Sequence, residues 1–163
     1  MKKMLALLML TGLLIGGCGK PYILVTEGTP LSNYSAVKVY VDARAFLKGK
    51  EGDAHYDGYV KSCEDMKNVI SGNVNTWLAA NFHGKAGAPV ANLVITVEDF
   101  YTGSGAARFF LGSMANGHLN VTAAITGGHA YRVNAVIEGV GTDKYFAYRR
   151  VASASTVYLQ DHL

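Results

Sequence analysis

The sequence predicts an α+β domain: a single sheet of about four or five strands, mostly antiparallel, with two helices packed on one face. Three observations predict it. Apolar residues alternate with polar ones in several separate stretches, as in half-buried strands. Two other stretches repeat their apolar residues at the helical spacing of about 3.6. Two of the alternating stretches are separated only by Thr126-Gly127-Gly128 and its neighbours, a connection short enough for a hairpin.

In chain order, Gly19 to Asn33 mixes Gly, Pro, Thr and Ser around a short apolar run, Tyr22 to Val25, and reads as a tether carrying at most one edge strand. Val37, Val39 and Val41 alternate with Lys38, Tyr40 and Asp42 as the first full strand. Lys48 to Gly58 is a Gly- and charge-rich loop. A long helix follows from about Tyr59 to Phe82, its apolar stripe made of Val60, Met66, Val69, Ile70, Val74, Trp77 and Leu78, with Cys63 on or beside it. Gly72 inside this helix costs about 1 kcal/mol relative to alanine, which points to close packing or a kink. His83-Gly84 and the loop through Pro89 close the helix.

Leu93, Ile95 and Val97 form the next strand, Leu119, Val121, Ala123 and Ile125 another, and Tyr131, Val133, Ala135 and Ile137 the last. Gly139 and Gly141 end it, and Thr142 or Asp143 caps a final helix to about Gln160 that buries Ala147, Val151, Ala154 and Tyr158.

The chain has 163 residues, 50% of them hydrophobic and 17% charged, which fits one domain with a proper core and excludes global disorder. Its mean hydropathy of +0.15 and its net charge of +3 hint at membrane or nucleic acid. Both hints are concentrated at the N-terminus. Eleven of the first 17 residues are hydrophobic, and Lys2 and Lys3 precede them. Without those two lysines, 13 basic residues face 12 acidic ones, so nucleic-acid binding is not expected.

Lys2, Lys3, the apolar Met4 to Ile15 and the small residues after it read as a secretory signal, too short for a span of roughly 20 apolar residues. Ile15-Gly16-Gly17-Cys18 resembles the lipobox of bacterial lipoproteins. That resemblance implies a signal peptide over 1–17, an acylated Cys18 (a palmitate-type anchor) heading a tether over 18–33, and one domain over 34–163. Several acyl chains anchor stably where one does so only marginally. Gly19, not Asp, follows Cys18, which by the same resemblance implies the periplasmic face of a cell outer membrane. In an organism without one, the lipid would hold the domain on the outside of the plasma membrane. With Cys18 lipidated, Cys63 is the one remaining thiol, so no intrachain disulfide is available, and its apolar stripe predicts a buried, inert group, with an exposed thiol for intermolecular pairing as the alternative.

Leu31-Ser32-Asn33-Tyr34 leading into Val37-Lys38-Val39, and Gly103 through Arg108, Gly112 and Gly117 leading into a strand, resemble an uncharacterised bacterial lipoprotein family, domain of unknown function 4410. The resemblance spans most of the mature chain and implies an envelope lipoprotein with an α+β fold and no established catalytic residues.

Asp53, Asp57, Gly58 and Glu64 reproduce the spacing of a calcium loop, in which glycine permits the sharp turn and carboxylates converge on a hard cation. His55 and Lys61 depart from it. The plainer account is a polar loop running into a helix, with acids near its N-terminus and Ser62 and Asp65 as a capping box. Gly103-Ser104-Gly105 with Arg108 is a poor dinucleotide loop, because no helix start follows it. Arg108 is a candidate contact for a ligand or partner, or else a surface arginine lying over Phe109 or Phe110.

Ser104 and Ser113 lack nucleophile-elbow flanks, and His55, His83, His118, His129 and His162 lack zinc-ligand spacing. His118 and His129 bracket the hairpin and read as paired surface residues. Lys144 to Arg150 reads as an amphipathic helix start, aromatics packed and arginines solvated, with contact to an envelope polymer as the alternative.

The sequence therefore predicts a lipid-anchored cell-envelope accessory or interaction module, without catalysis or cofactor. Its partners are the membrane, through the lipid, and an envelope protein or polymer. The alternatives are a small envelope hydrolase whose site forms only in three dimensions, and a calcium- or ligand-sensing lipoprotein.

Overall fold

The computed structural model describes residues 22–25, 30–102, 116–128, 130–137 and 143–163. Strand β1 (Tyr22–Val25) is followed by a 3-10 turn at Leu31–Asn33, β2 (Ala36–Asp42), a one-turn helix α1 (Arg44–Leu47), and the long helix α2 (Tyr56–Asn81). Then come β3 (Val90–Tyr101), β4 (Gly117–Ile125), β5 (Ala130–Ile137) and α3 (Lys144–Gln160). The α+β class is as the sequence predicts. The strands form one five-stranded sheet in the order β1-β5-β4-β3-β2.

Only β2 and β3 run parallel, because α2 carries the chain back between them; every other neighbouring pair is antiparallel. The β4–β5 hairpin closes where Gly127 and Gly128 both take φ of 97°, a conformation that costs glycine little. Thr126 just before them is fixed to β3: its hydroxyl accepts from the Asn92 amide at 2.8 Å, and its own amide donates to the Asn92 carbonyl at 3.1 Å.

Alternation decides which face is buried. Leu93, Ile95 and Val97 of β3, and Leu119, Val121 and Ala123 of β4, point to one side and are fully buried. Both long helices lie on that side. Helix α2 supplies Cys63, Met66, Ile70 and Val74 at spacings of three and four, and α3 supplies Ala147, Tyr148, Val151 and Leu159. The stripe predicted for α3 is wider than expected: Tyr148, Ala152 and Ser155 are also buried, whereas Ala154 is only half-buried. Asp143 caps it, its carboxylate accepting from the Phe146 amide at 3.2 Å. Among the described residues no helix is long and apolar enough to cross a membrane.

Three local expectations are corrected. Helix α2 begins at Tyr56, not near Tyr59, so Ser62 and Asp65 lie inside it and cap nothing. Gly72 neither packs closely nor makes room for a neighbour, since an added Cβ would meet nothing within 4 Å. Strand β1 is the edge strand that the tether reading allows, but Leu31, placed in the same tether, is fully buried, its amide donating to the His162 carbonyl at 3.1 Å. The fold thus takes in part of that stretch.

Candidate functional site

The sheet face opposite the helices is bare among the described residues, and its side chains are ordered by one another. A β-bulge in β3 creates the arrangement. Val97 faces Val121 and Asp99 faces Asn120, so Glu98 is an extra residue in the ladder. The bulge turns both Glu98 and Asp99 to the bare face, and Phe100 returns to the core. It also sets Tyr101 opposite His118.

Two polar groups result. In the first, Glu98 accepts a short hydrogen bond from the Thr122 hydroxyl, and the Arg132 guanidinium lies 3.8 Å from the same carboxylate. Arg132 Nε also donates to Thr122 Oγ1 at 3.4 Å, which ties β3, β4 and β5 together across the face. In the second, His118 Nε2 lies 2.7 Å from Asp99 Oδ2, with the Tyr101 ring centroid 6.1 Å from the imidazole. Asn120 sits between the groups, its Oδ1 buried without a hydrogen-bond partner among the described residues. Such exposed pairs stabilise the fold by at most about 1 kcal/mol each, so their main effect is to hold donors and acceptors in place.

At the Tyr101 end of β3, a cleft of about 510 Å³ opens between that strand and the start of α2, lined by Lys50, His55, Tyr59, Ser62, Asp99 and Tyr101. Lys50 Nζ sits over the Phe46 ring at 4.8 Å from its centroid and over Tyr59 at 5.4 Å.

The structure does not bring the calcium-loop residues together. Asp53 lies in a turn, where its carboxylate accepts from the His55 amide at 2.7 Å. Asp57 and Glu64 already belong to α2, two turns apart, because the helix starts before the loop's Gly58. The sharp oxygen-lined turn that calcium needs is therefore not formed, and among the described residues no three His, Cys, Asp or Glu side chains form a metal-binding group. Cys18, Arg108 and His129, with the Gly103 to Gly112 stretch, lie outside the described residues.

Cys63 is buried, and burial pushes its thiol up while nearby Lys144 opposes that shift. In the Lys144 to Arg150 segment, Tyr148 is fully buried and Tyr145 half-buried, Arg149 is exposed, and Arg150 lies over the Phe146 ring at 5.6 Å. The lysine does not stay in solvent. Lys144 Nζ reaches Asp65 Oδ2 at 2.6 Å and Ser62 Oγ at 3.2 Å.

Sequence reasoning missed the Glu98–Thr122–Arg132 and Asp99–His118 groups. Their one signal is that polar residues occupy the positions between the core positions of adjacent strands, and this becomes a site only once register and bulge are known.

No protein-family model matches the chain, and no curated protein matches it. Among solved structures, the chain is similar to a single-substitution PelC dodecamer from Paraburkholderia phytofirmans, with 13% identity over 83% of this chain and 96% of that one, at a TM-score of 0.42. It is also similar to the PelC dodecamer of that organism in another crystal form, with 12% identity over 85% of this chain and 97% of that one, at a TM-score of 0.44.

Proposed function

We propose that the chain is a lipid-anchored accessory module of the cell envelope that acts by binding, with the bare sheet face as its contact surface. The reading of Cys18 as the acylated residue supplies the anchor, and it lies only a few residues before edge strand β1. The observation that carries the binding role is the uncovered face on which Glu98, Thr122 and Arg132 are locked into one array by the bulge in β3. A face of mixed charge, with ordered donors and acceptors and no covering element among the described residues, suits an envelope protein or a polar polymer. On this reading the membrane is the first partner and that protein or polymer the second.

A photo-crosslinking residue placed at Asn134, on the bare face, tests this in the full chain in its own envelope. Asn75, exposed on α2, is the control position. The reading expects an adduct from position 134 that is lost with Arg132→Glu and not formed from position 75. Equal adducts from both positions would contradict it.

A second reading rests on the Asp99–His118 pair at 2.7 Å, since a carboxylate-oriented imidazole is a common general base. It is the hydrolase alternative given a specific residue. Hydrolysis of an envelope ester or glycan that is abolished by His118→Ala, with the fold intact, would favour it over binding alone.

A further inference from the structure

Strand β2 is an edge of the sheet, and among the described residues nothing pairs with its outer side. Of the devices that usually blunt an edge it has only the charged residues Lys38 and Asp42. It is seven residues long, contains no proline, and matches β3 without a register shift. Its core-side residues Val37, Val39 and Val41 remain only half-buried, whereas Leu93 and Ile95 on the adjoining strand are 0% exposed. On its other side Tyr40 is 48% exposed. A groove of about 490 Å³ runs beside the end of the strand, walled by Val41, Leu47, Val60 and Cys63.

We propose that this edge pairs with the same edge of a second copy of the chain, antiparallel about a two-fold axis through Val39, so that one sheet runs across both copies. The strand is self-complementary in that register. Ala36 to Asp42 reads Ala-Val-Lys-Val-Tyr-Val-Asp, so Val39 meets Val39 and Val37 meets Val41 on the core side. There the half-buried valines of each copy cover those of the other.

On the opposite side Lys38 meets Tyr40 of the second copy, a cation over an aromatic face, with Asp42 and Lys38 of that copy at its two diagonals. Moving the axis to Lys38 would set two lysines directly against each other, and moving it to Tyr40 would shorten the ladder from seven residues to five. Pairing also satisfies the outward backbone groups of the whole strand, and such a contact is closed and isologous.

The register is tested by cysteine cross-linking of the full chain in membranes, in a Cys63→Ala background, with mild oxidation. Directly opposed residues of an antiparallel pair have Cα atoms about 4.5–5.5 Å apart, within disulfide reach. Diagonal positions are about 8 Å apart and beyond it. Val39→Cys is expected to give a reducible dimer that the background chain does not. Because that valine is half-buried, exposed positions provide an independent arm. Lys38→Cys chains mixed with Tyr40→Cys chains link to each other, with on the order of ten-fold more dimer than either gives alone. If neither arm yields a dimer, or if Lys38→Cys alone links as well as the mixture, the proposal is overturned. A strand from a different protein on this edge predicts no dimer from either arm.

Discussion

Lys144 at the start of α3 and Asp65 in the middle of α2 are joined by a 2.6 Å ion pair that fastens the two core helices to each other. The same carboxylate accepts from the Tyr145 hydroxyl at 3.1 Å, and the Tyr148 hydroxyl donates to the Ser62 carbonyl at 3.2 Å. The Lys144 ammonium holds the Asp65 carboxyl below its ordinary range. A lowered folded value means that this contribution to stability is complete above the unfolded value of about 3.9 and is lost as pH falls through the folded one. Lys144→Met is expected to raise the Asp65 carboxyl and to move acid unfolding to higher pH, as carboxyl NMR titration and acid melts would show. Tyr148→Phe removes one hydrogen bond and is expected to cost about 1 kcal/mol in denaturant unfolding.

Two glycines are expected to respond with opposite sign. Gly72 lies on the exposed side of α2 with open space where a Cβ would go, so Gly72→Ala should stabilise the fold by about 1 kcal/mol. At Gly84 a Cβ would fall 1.9 Å from the Ser35 carbonyl oxygen, and the backbone there is held because the Lys85 amide donates to the Tyr34 carbonyl at 2.9 Å. Gly84→Ala should therefore separate the two segments and destabilise by more than about 1 kcal/mol. Thermal melts of both variants check the pair together.

Asp42 and Arg44 form a bidentate pair at the end of β2, with hydrogen bonds from Nε at 2.9 Å and from NH2 at 2.5 Å. The Arg44 guanidinium beside it lowers the Asp42 carboxyl to about 2. The contribution is complete above about pH 3.9 and is lost as pH falls towards 2. Arg44→Ala should raise the carboxyl only part of the way, because the amide of residue 44 still donates to it, and the stabilities of the variant and the native chain should converge at the acid end of that window. Carboxyl NMR titration reads the first effect and acid melts the second.

Cys63 should be alkylated well below the rate of the unfolded chain, because burial of all but its groove-facing edge shields the thiol and disfavours its thiolate. Labelling rates measured with and without denaturant test this. A native-state rate equal to that of the unfolded chain would contradict the burial.

Much of the fold was legible in the sequence because one face of each long element is buried. Alternation in Val37 to Val41, Leu93 to Val97, Leu119 to Ile125 and Tyr131 to Ile137 marked the strands, and Cys63 to Leu78 marked the helix. What was hidden is whatever depends on distant partners. The pattern of β3 breaks at Glu98-Asp99, where alternation alone ends the strand, whereas the bulge carries it on to Tyr101. Ser62 and Asp65 have the spacing of a capping box, but their partners are Lys144, Tyr145 and Tyr148, about 80 residues away in sequence. The Asp99–His118 pair likewise exists only because two strands meet in one register. The calcium spacing failed for a local reason: the helix begins at Tyr56, ahead of the glycine that should have turned the loop.

Whether this is a lipid-anchored binding domain is read from the intact mass of the chain recovered from its own membranes. The expected chain begins at Cys18 and carries acyl groups on that residue, and Cys18→Ser leaves it unacylated and released from the membrane. A chain that begins elsewhere, or a Cys18→Ser chain that still carries acyl groups, would contradict it.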